Sequence, residues 1–235
     1  MYTFKSRVRY SEVDINKQLD LFSVINYFQD CSTFQSEDIG LGLEMLESEH
    51  KAWILNSWQI IVHHLPTLGE NITVGTWAYD FKNMYGYRNF IMKNEDGTLC
   101  AVANSIWVLM DTISNRPVKI QPLDFEKYCS EEKYDMEYAP RKINLPKEFH
   151  ILPSFSVVSS NLDTNNHVNN GQYIKMAEEY VPDNFEMKQL RAEYRISAML
   201  GDIIVPKVNI TGDLCVVVLA NINGAPYAAI EFSKK

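Results

Sequence analysis

The chain has 235 residues, enough for one large domain or two small ones, and its 46% hydrophobic and 22% charged shares are ordinary for a globular protein. A net charge of −8 excludes general nucleic-acid binding, which needs a phosphate-neutralising surface, and makes any acidic protein partner dependent on a local basic patch. No apolar run reaches membrane-spanning length, because 99–110 is too short and is interrupted by Asn104 and Ser105.

Tyr2 and Phe4, then Val8 and Tyr10, alternate like an extended segment and show no signal-peptide apolar core, so a cytoplasmic location is expected. Polar residues 11–16 break the pattern. Asp20 can cap a helix whose apolar face is Leu21, Val24, Ile25, Phe28, Cys31 and Phe34, with Gly40 and Gly42 as stop signals. A short helical piece is expected over 43–48. Residues 53–64, 72–81, 85–93 and 99–110 then read as strands, rich in aromatic and β-branched side chains. Asn94-Glu95-Asp96-Gly97 makes a hairpin turn between the last two. The near-continuous apolar run 99–110 fits a strand covered on both faces. One helix followed by four or five antiparallel strands suggests a sheet wrapped around that helix.

Residues 112–153 change character. Pro117, Pro122, Pro140, Pro146 and Pro153 fall here, charges are frequent and periodicity fades, as in a linker that packs along the surface. The second half then repeats the first. Residues 155–159 form a short strand, and Asp163-Thr164-Asn165-Asn166-His167 aligns with Asp14-Ile15-Asn16-Lys17-Gln18. Residues 191–199 with Gly201-Asp202 match 59–67 with Gly69-Glu70. Strands over 203–210, 214–221 and 227–232, with a turn at Asn223-Gly224, complete an internally duplicated domain.

The polar chemistry concentrates in 161–174, just ahead of a helix with Tyr173, Ile174, Ala177, Tyr180 and Val181 on one face and Asn169 or Asn170 as its cap. A helix start supplies unpaired N–H groups and partial positive charge, which suit a carbonyl oxygen gaining negative charge. On spacing alone, caps and turns account for Asn and Asp, and a lone histidine before a helix is more often structural. Cys31, Cys100 and Cys215 sit in apolar segments as small core residues, while Cys129 lies outside them. The spacing of the cysteines fits neither a zinc knuckle nor a redox pair, and the histidines form no metal-ligand pattern. Trp53, Trp58, Trp77 and Trp107 read as core or as lining of an apolar pocket.

Asp163-x-Asn165-x-His167-Val168-Asn169-Asn170-x-x-Tyr173 resembles the signature of the acyl-acyl carrier protein (acyl-ACP) thioesterases of bacterial type. Arg9-Tyr10-Ser11-Glu12-Val13-Asp14, Trp53-Ile54-Leu55-Asn56-Ser57-Trp58, Arg88-Asn89-Phe90 and Trp107-Val108-Leu109-Met110-Asp111 extend the resemblance over nearly the whole chain. It implies an α+β chain of two tandem hot-dog domains, each a long central helix wrapped by an antiparallel sheet, forming a pseudo-dimer. The expected layout is an acyl-chain-holding domain at 1–111, the linker at 112–153 and a domain with the catalytic motif at 154–235.

The implied reaction is hydrolysis of fatty acyl-ACP to free fatty acid and holo-ACP, ending fatty acid synthesis. His167 and Asn165 would orient and polarise the thioester and the attacking water, and Asp163 would hold their geometry or help accept a proton. No nucleotide or metal cofactor is implied. Gln18 stands where the first half would need an imidazole, so one site per chain is expected. Relatives carry a glutamate where Ser197 stands here; Ser197 is either a water or carbonyl binder or an ordinary strand serine. An acyl-coenzyme A thioesterase and a non-catalytic acyl-binding protein are the alternatives. Arg141, Lys142, Lys147, Arg191, Arg195 and Lys207 form either a carrier-docking patch or solvated surface, and a homodimer through exposed sheet edges stays open.

Overall fold

The computed structural model describes residues 1–183 and 185–234, and the chain divides into two compact units. The first comprises Met1–Asn56 and Val62–Tyr138; the second comprises Ser57–Ile61 and Ala139–Lys235.

In the first unit, strands β1 (Tyr2–Arg7), β2 (Lys51–Val62), β3 (Asn71–Lys82), β4 (Tyr85–Asn94) and β5 (Leu99–Asp111) follow the spatial order β1-β3-β4-β5-β2. The β1–β3, β3–β4 and β4–β5 pairs are antiparallel. A two-residue strand, β6 (Arg116–Pro117), extends β5. Helix α1 (Leu21–Asp38) is capped as its sequence predicts: the Asp20 carboxylate accepts the Ser23 N–H at 2.7 Å. Leu21, Val24, Ile25, Phe28 and Cys31 are buried, and the Phe28 ring meets Phe90 of β4 at 5.2 Å. Phe34 departs from the expected face. It is 44% exposed and meets Phe4 of the end strand β1 edge-on at 5.5 Å. Helix α2 (Leu43–Ser48) follows.

The 94–98 turn closes through Gly97 N–H to Asn94 O (3.1 Å) and Thr98 N–H to Asp96 Oδ1 (2.8 Å), with Gly97 at φ +88°. One charge lies inside this unit. Arg88 of β4 is 7% exposed, and its Nη1 donates to Gln35 Oε1 (2.6 Å) and Thr76 Oγ1 (3.1 Å), both neutral, with the Tyr128 ring 5.1 Å from the guanidinium. Burial lowers its proton affinity.

The residues expected as a linker divide between the units. On the first unit, Ile120 and Tyr128 are buried, Trp77 Nε1 donates to Glu132 O (2.8 Å), and Asn89 Oδ1 accepts both Tyr134 N–H (3.1 Å) and Tyr138 O–H (3.0 Å). On the second, Ile143 packs against Val216, Val218, Ala220 and Ala229, with Leu145 and Phe149 beside it.

The second unit contains β7 (His150–Ile151), β8 (Phe155–Ser156), helix α3 (Asn170–Glu178), β9 (Gln189–Tyr194), β10 (Ile203–Thr211), β11 (Leu214–Ala220) and β12 (Pro226–Ser233). Its order is β9-β12-β11-β10-β7; β8 also pairs with β10, and residues Ser57–Ile61 pair with β9. Alternation sets the faces: Leu190, Ala192 and Tyr194 of β9 are buried, while Arg191 and Glu193 point the other way. Arg191 pairs with Glu231 (2.8 Å) and donates to Pro140 O and Lys142 O, so it ties residues 140–142 down rather than standing free.

Three expected elements end early. Helix α3 stops at Glu178, leaving Tyr180 and Val181 on the following turn, because the residue before Pro182 is steered out of helical conformation. The short strand covers only Phe155–Ser156 before a turn at Ser159–Asn161. The strand expected over 191–199 stops at Tyr194, where Arg195 N–H (2.9 Å) and Ile196 N–H (3.3 Å) both donate to Tyr227 O, a β-bulge. Among the described residues, no helix is long and apolar enough to cross a membrane.

Candidate active site

The polar loop before α3 is built on a plan that the first unit also uses. Asp14 N–H donates to Gln18 O and Asp163 N–H to His167 O, each at 2.8 Å. Asp14 Oδ1 accepts the amides of Asn16 (2.8 Å) and Gln18 (2.9 Å); Asp163 Oδ1 accepts those of Asn165 (2.8 Å) and His167 (3.3 Å). Lys17 and Asn166 both turn the chain with positive φ, +62° and +60°. Each loop then pairs with the segment behind its strand. Gln18 bridges Thr67 and Leu19 N–H reaches Pro66 O (2.8 Å), just as His167 bridges Met199 and Val168 N–H reaches Ala198 O (2.9 Å). The bulge is duplicated too, since His63 N–H (2.9 Å) and His64 N–H (3.2 Å) share Cys100 O. The internal repeat thus extends to individual hydrogen bonds.

Of the three predicted site residues, the structure joins Asp163 to the other two through their main chain. One carboxylate oxygen holds the amides of Asn165 and His167 and so fixes the loop. The Asn165 side chain is exposed and the His167 ring half-buried at the loop's solvent side. Helix α3 begins directly afterwards, with Asn169 Oδ1 accepting Gly171 N–H at 2.8 Å, so the positive end of the helix lies beside the loop.

Tyr173, read in the sequence as a core residue and as the last position of the motif, also anchors the site. Its hydroxyl accepts the Ala198 N–H at 2.9 Å, tying α3 to the segment opposite His167, and burial pushes its phenol up to about 12. Tyr194 O–H donates to Asn170 O (3.0 Å), and its ring lies tilted against that of Tyr173 at 6.0 Å. The sequence cue was a hydroxyl on an otherwise apolar helix face, since a buried tyrosine needs a partner. Ser197 is exposed, immediately beyond the bulge and one residue before the buried Ala198. The nearby Glu193 does not substitute for a carboxylate at that position. It points to the opposite face of β9, where it accepts from Arg195 Nε (3.1 Å), Arg195 Nη2 (3.1 Å) and Ile143 N–H (3.0 Å). Arg195 is therefore also engaged within the unit. Among the described residues, no group of three or more His, Cys, Asp or Glu side chains is placed to hold a metal ion.

Residues 1–128 match the acyl-ACP thioesterase N-terminal domain, and residues 145–213 match the acyl-ACP thioesterase C-terminal domain. The chain belongs to the acyl-ACP thioesterase family. Among family relatives, it is 23% identical over 226 residues to the chloroplastic oleoyl-acyl carrier protein thioesterase 2 of Arabidopsis thaliana, covering 86% of this chain and 61% of that protein. It is also 23% identical to the chloroplastic palmitoyl-acyl carrier protein thioesterase of Gossypium hirsutum, covering 80% and 50%. The chain therefore spans about half to three-fifths of the length of these relatives. The crystal structure of an acyl-ACP thioesterase from Bacteroides thetaiotaomicron matches with a TM-score of 0.91 at 19% identity, covering 98% of this chain and 96% of that one. The 12:0-ACP thioesterase from Umbellularia californica matches with a TM-score of 0.83 at 21% identity, covering 99% and 97%. These likenesses establish the fold: tandem hot-dog domains in an α+β chain, as the sequence led one to expect.

Proposed function

We propose that this chain hydrolyses fatty acyl-ACP to free fatty acid and holo-ACP at the Asp163–Asn165–His167 loop. The observation that carries the reading is the loop itself, a rigid Asp163-braced turn that sets an imidazole and a carboxamide beside the N-terminus of α3. A thioester is already reactive, so positioning, a proton acceptor and oxyanion donors suffice. His167 takes the proton from the attacking oxygen, Asn165 polarises the thioester carbonyl together with the helix end, and Asp163 holds both in register.

A second reading, an acyl-binding protein without turnover, draws on Ser197 standing where relatives carry a carboxylate. Thiol release from a panel of short to long acyl-ACP thioesters, with coenzyme A thioesters alongside, separates the readings. Carrier-dependent turnover that falls on the order of 10²–10⁴-fold in His167→Ala supports hydrolysis at this loop. Tight acyl-ligand binding with no thiol release from any substrate supports the binding protein. Undiminished turnover in His167→Ala places the chemistry elsewhere.

A further inference from the structure

The two copies of the loop and bulge differ where chemistry could be done. In the first copy, the residue bridging the opposite segment is Gln18 and the residue after the bulge is Leu65; in the second they are His167 and Ser197. The bulge at Arg195–Ile196 ends the strand's pairing without changing which positions are buried: Leu190, Ala192 and Tyr194 precede it and Ala198 follows it on the buried side. Beyond it, exposure alternates cleanly. Val168 (3%) and Ala198 (0%) are buried, while Ser197 and Met199 face solvent and His167 is half-buried on the same side. Directly paired residues of an antiparallel bridge share a face, and residues two apart share it as well. Met199 pairs with His167, so Ser197 is the diagonal neighbour of His167, at a separation of roughly 7–8 Å between Cα atoms that the imidazole, not the short serine, has to span. Four contacts hold this arrangement: the bridge itself, Val168 N–H to Ala198 O (2.9 Å), Ala198 N–H to Tyr173 Oη (2.9 Å) and Met199 N–H to Asp202 Oδ2 (2.9 Å).

The geometry points to Ser197 as the catalytic nucleophile, with His167 as its base, so that the thioester is cleaved through an acyl-serine intermediate. This rests on the thioesterase reading and specifies its first step. Ser197 Oγ bonds to the thioester carbonyl carbon as its proton passes to the His167 imidazole. The C–S bond then breaks, and the departing sulfur takes that proton to leave as the thiol. Water next attacks the serine ester, His167 accepts the water's proton and returns it to Oγ as the C–Oγ bond breaks, and the free acid departs. The carbonyl oxygen carries the transient negative charge in both steps, next to Asn165 and the start of α3. A nucleophile on the protein needs no carboxylate at position 197.

The test uses the full chain and the acyl-ACP thioester that it turns over fastest, with acid quench and intact-mass analysis. Wild type is expected to show a one-acyl mass increase that maps to the peptide containing Ser197. Ser197→Ala is expected to lose the adduct and at least about 100-fold in thiol release while melting like wild type. Ser197→Cys is expected to accumulate an acyl adduct, because its thiol attacks the thioester and deacylates slowly. Thiol release by Ser197→Ala within twofold of wild type overturns the proposal and leaves direct attack by water. Loss of turnover in Ser197→Ala without any adduct on Ser197→Cys overturns it as well, making Ser197 a water-holding residue. If wild type releases thiol from no thioester at all, the thioesterase reading fails and takes this step with it.

Discussion

Asp163 and Asp14 hold equivalent loops, so one pair of substitutions separates loop architecture from chemistry. Asp163→Ala removes the acceptor for Asn165 N–H (2.8 Å) and His167 N–H (3.3 Å), and Asp14→Ala removes the acceptor for Asn16 N–H (2.8 Å) and Gln18 N–H (2.9 Å). Each loses two backbone-amide bonds near the surface, and Asp14→Ala also the weaker bond from Asn16 Nδ2 (3.3 Å); water replaces part of what is lost, so each variant is expected to lose about 1–2 kcal/mol of stability. Urea unfolding followed by circular dichroism measures this as a shift in midpoint at constant slope. The activity outcomes differ. Thiol release is expected to fall at least about tenfold in Asp163→Ala, since a displacement of about 1 Å at a reacting group already costs heavily, and to stay within twofold in Asp14→Ala. Asp163→Asn keeps an oxygen acceptor at Oδ1 but no charge, so it should retain the loop and most of the activity if Asp163 acts by positioning. Equal activity loss in Asp14→Ala and Asp163→Ala, or full loss in Asp163→Asn with stability intact, would refute positioning as the role of Asp163.

Other consequences are as direct. Tyr173→Phe leaves the Ala198 N–H without its partner and is expected to lose about 1–3 kcal/mol at neutral pH, read from urea unfolding. The folded phenol titrates near 12 against an ordinary value near 10, so its stabilisation is complete below pH 10 and is lost as pH rises toward 12. Unfolding measured across that window should therefore show a shallower alkaline decline in Tyr173→Phe, by up to about 2–3 kcal/mol. Burial pushes the Cys31 thiol up to about 12 and those of Cys100 and Cys215 to about 11, whereas Cys129 is exposed. A chromogenic disulfide reagent should label one thiol in the native chain and four in denaturant, with native labelling abolished in Cys129→Ser. Ile143→Ala, at a side chain 1% exposed against Val216 and Val218, should lose about 2–4 kcal/mol in the same unfolding assay, although this stretch of sequence reads as linker.

What could be read in advance was what neighbouring residues decide among themselves. The Asp20 cap, the apolar stripe of α1, the 94–98 turn and the repeat relating Asp14–Gln18 to Asp163–His167 all follow from short-range spacing. What escaped depends on partners distant in sequence. The bulge at Arg195–Ile196 exists because two amides share the Tyr227 carbonyl, which no pattern within 189–199 reveals. Phe34 keeps helical spacing yet meets the sheet at its end strand, against Phe4, where it is left partly exposed. Proline content marked 112–153 as irregular, but Ile120, Tyr128 and Ile143 are buried, each by a surface formed elsewhere in the chain. At the site, the motif supplied the residue types, while the diagonal pairing of His167 with Ser197 needed the register.

The net charge is divided unevenly between the two units. It contains 12 Lys and Arg against 20 Asp and Glu, and one of those cations, Arg88, is withdrawn between α1 and the sheet; the second unit has 10 of each sign. By count, the first unit carries the whole of the net negative charge, and the unit that carries His167 is neutral. Repulsion of acidic macromolecules by the first unit fades as added salt shortens the screening length from about 8 Å at physiological ionic strength toward about 3 Å at 1 M.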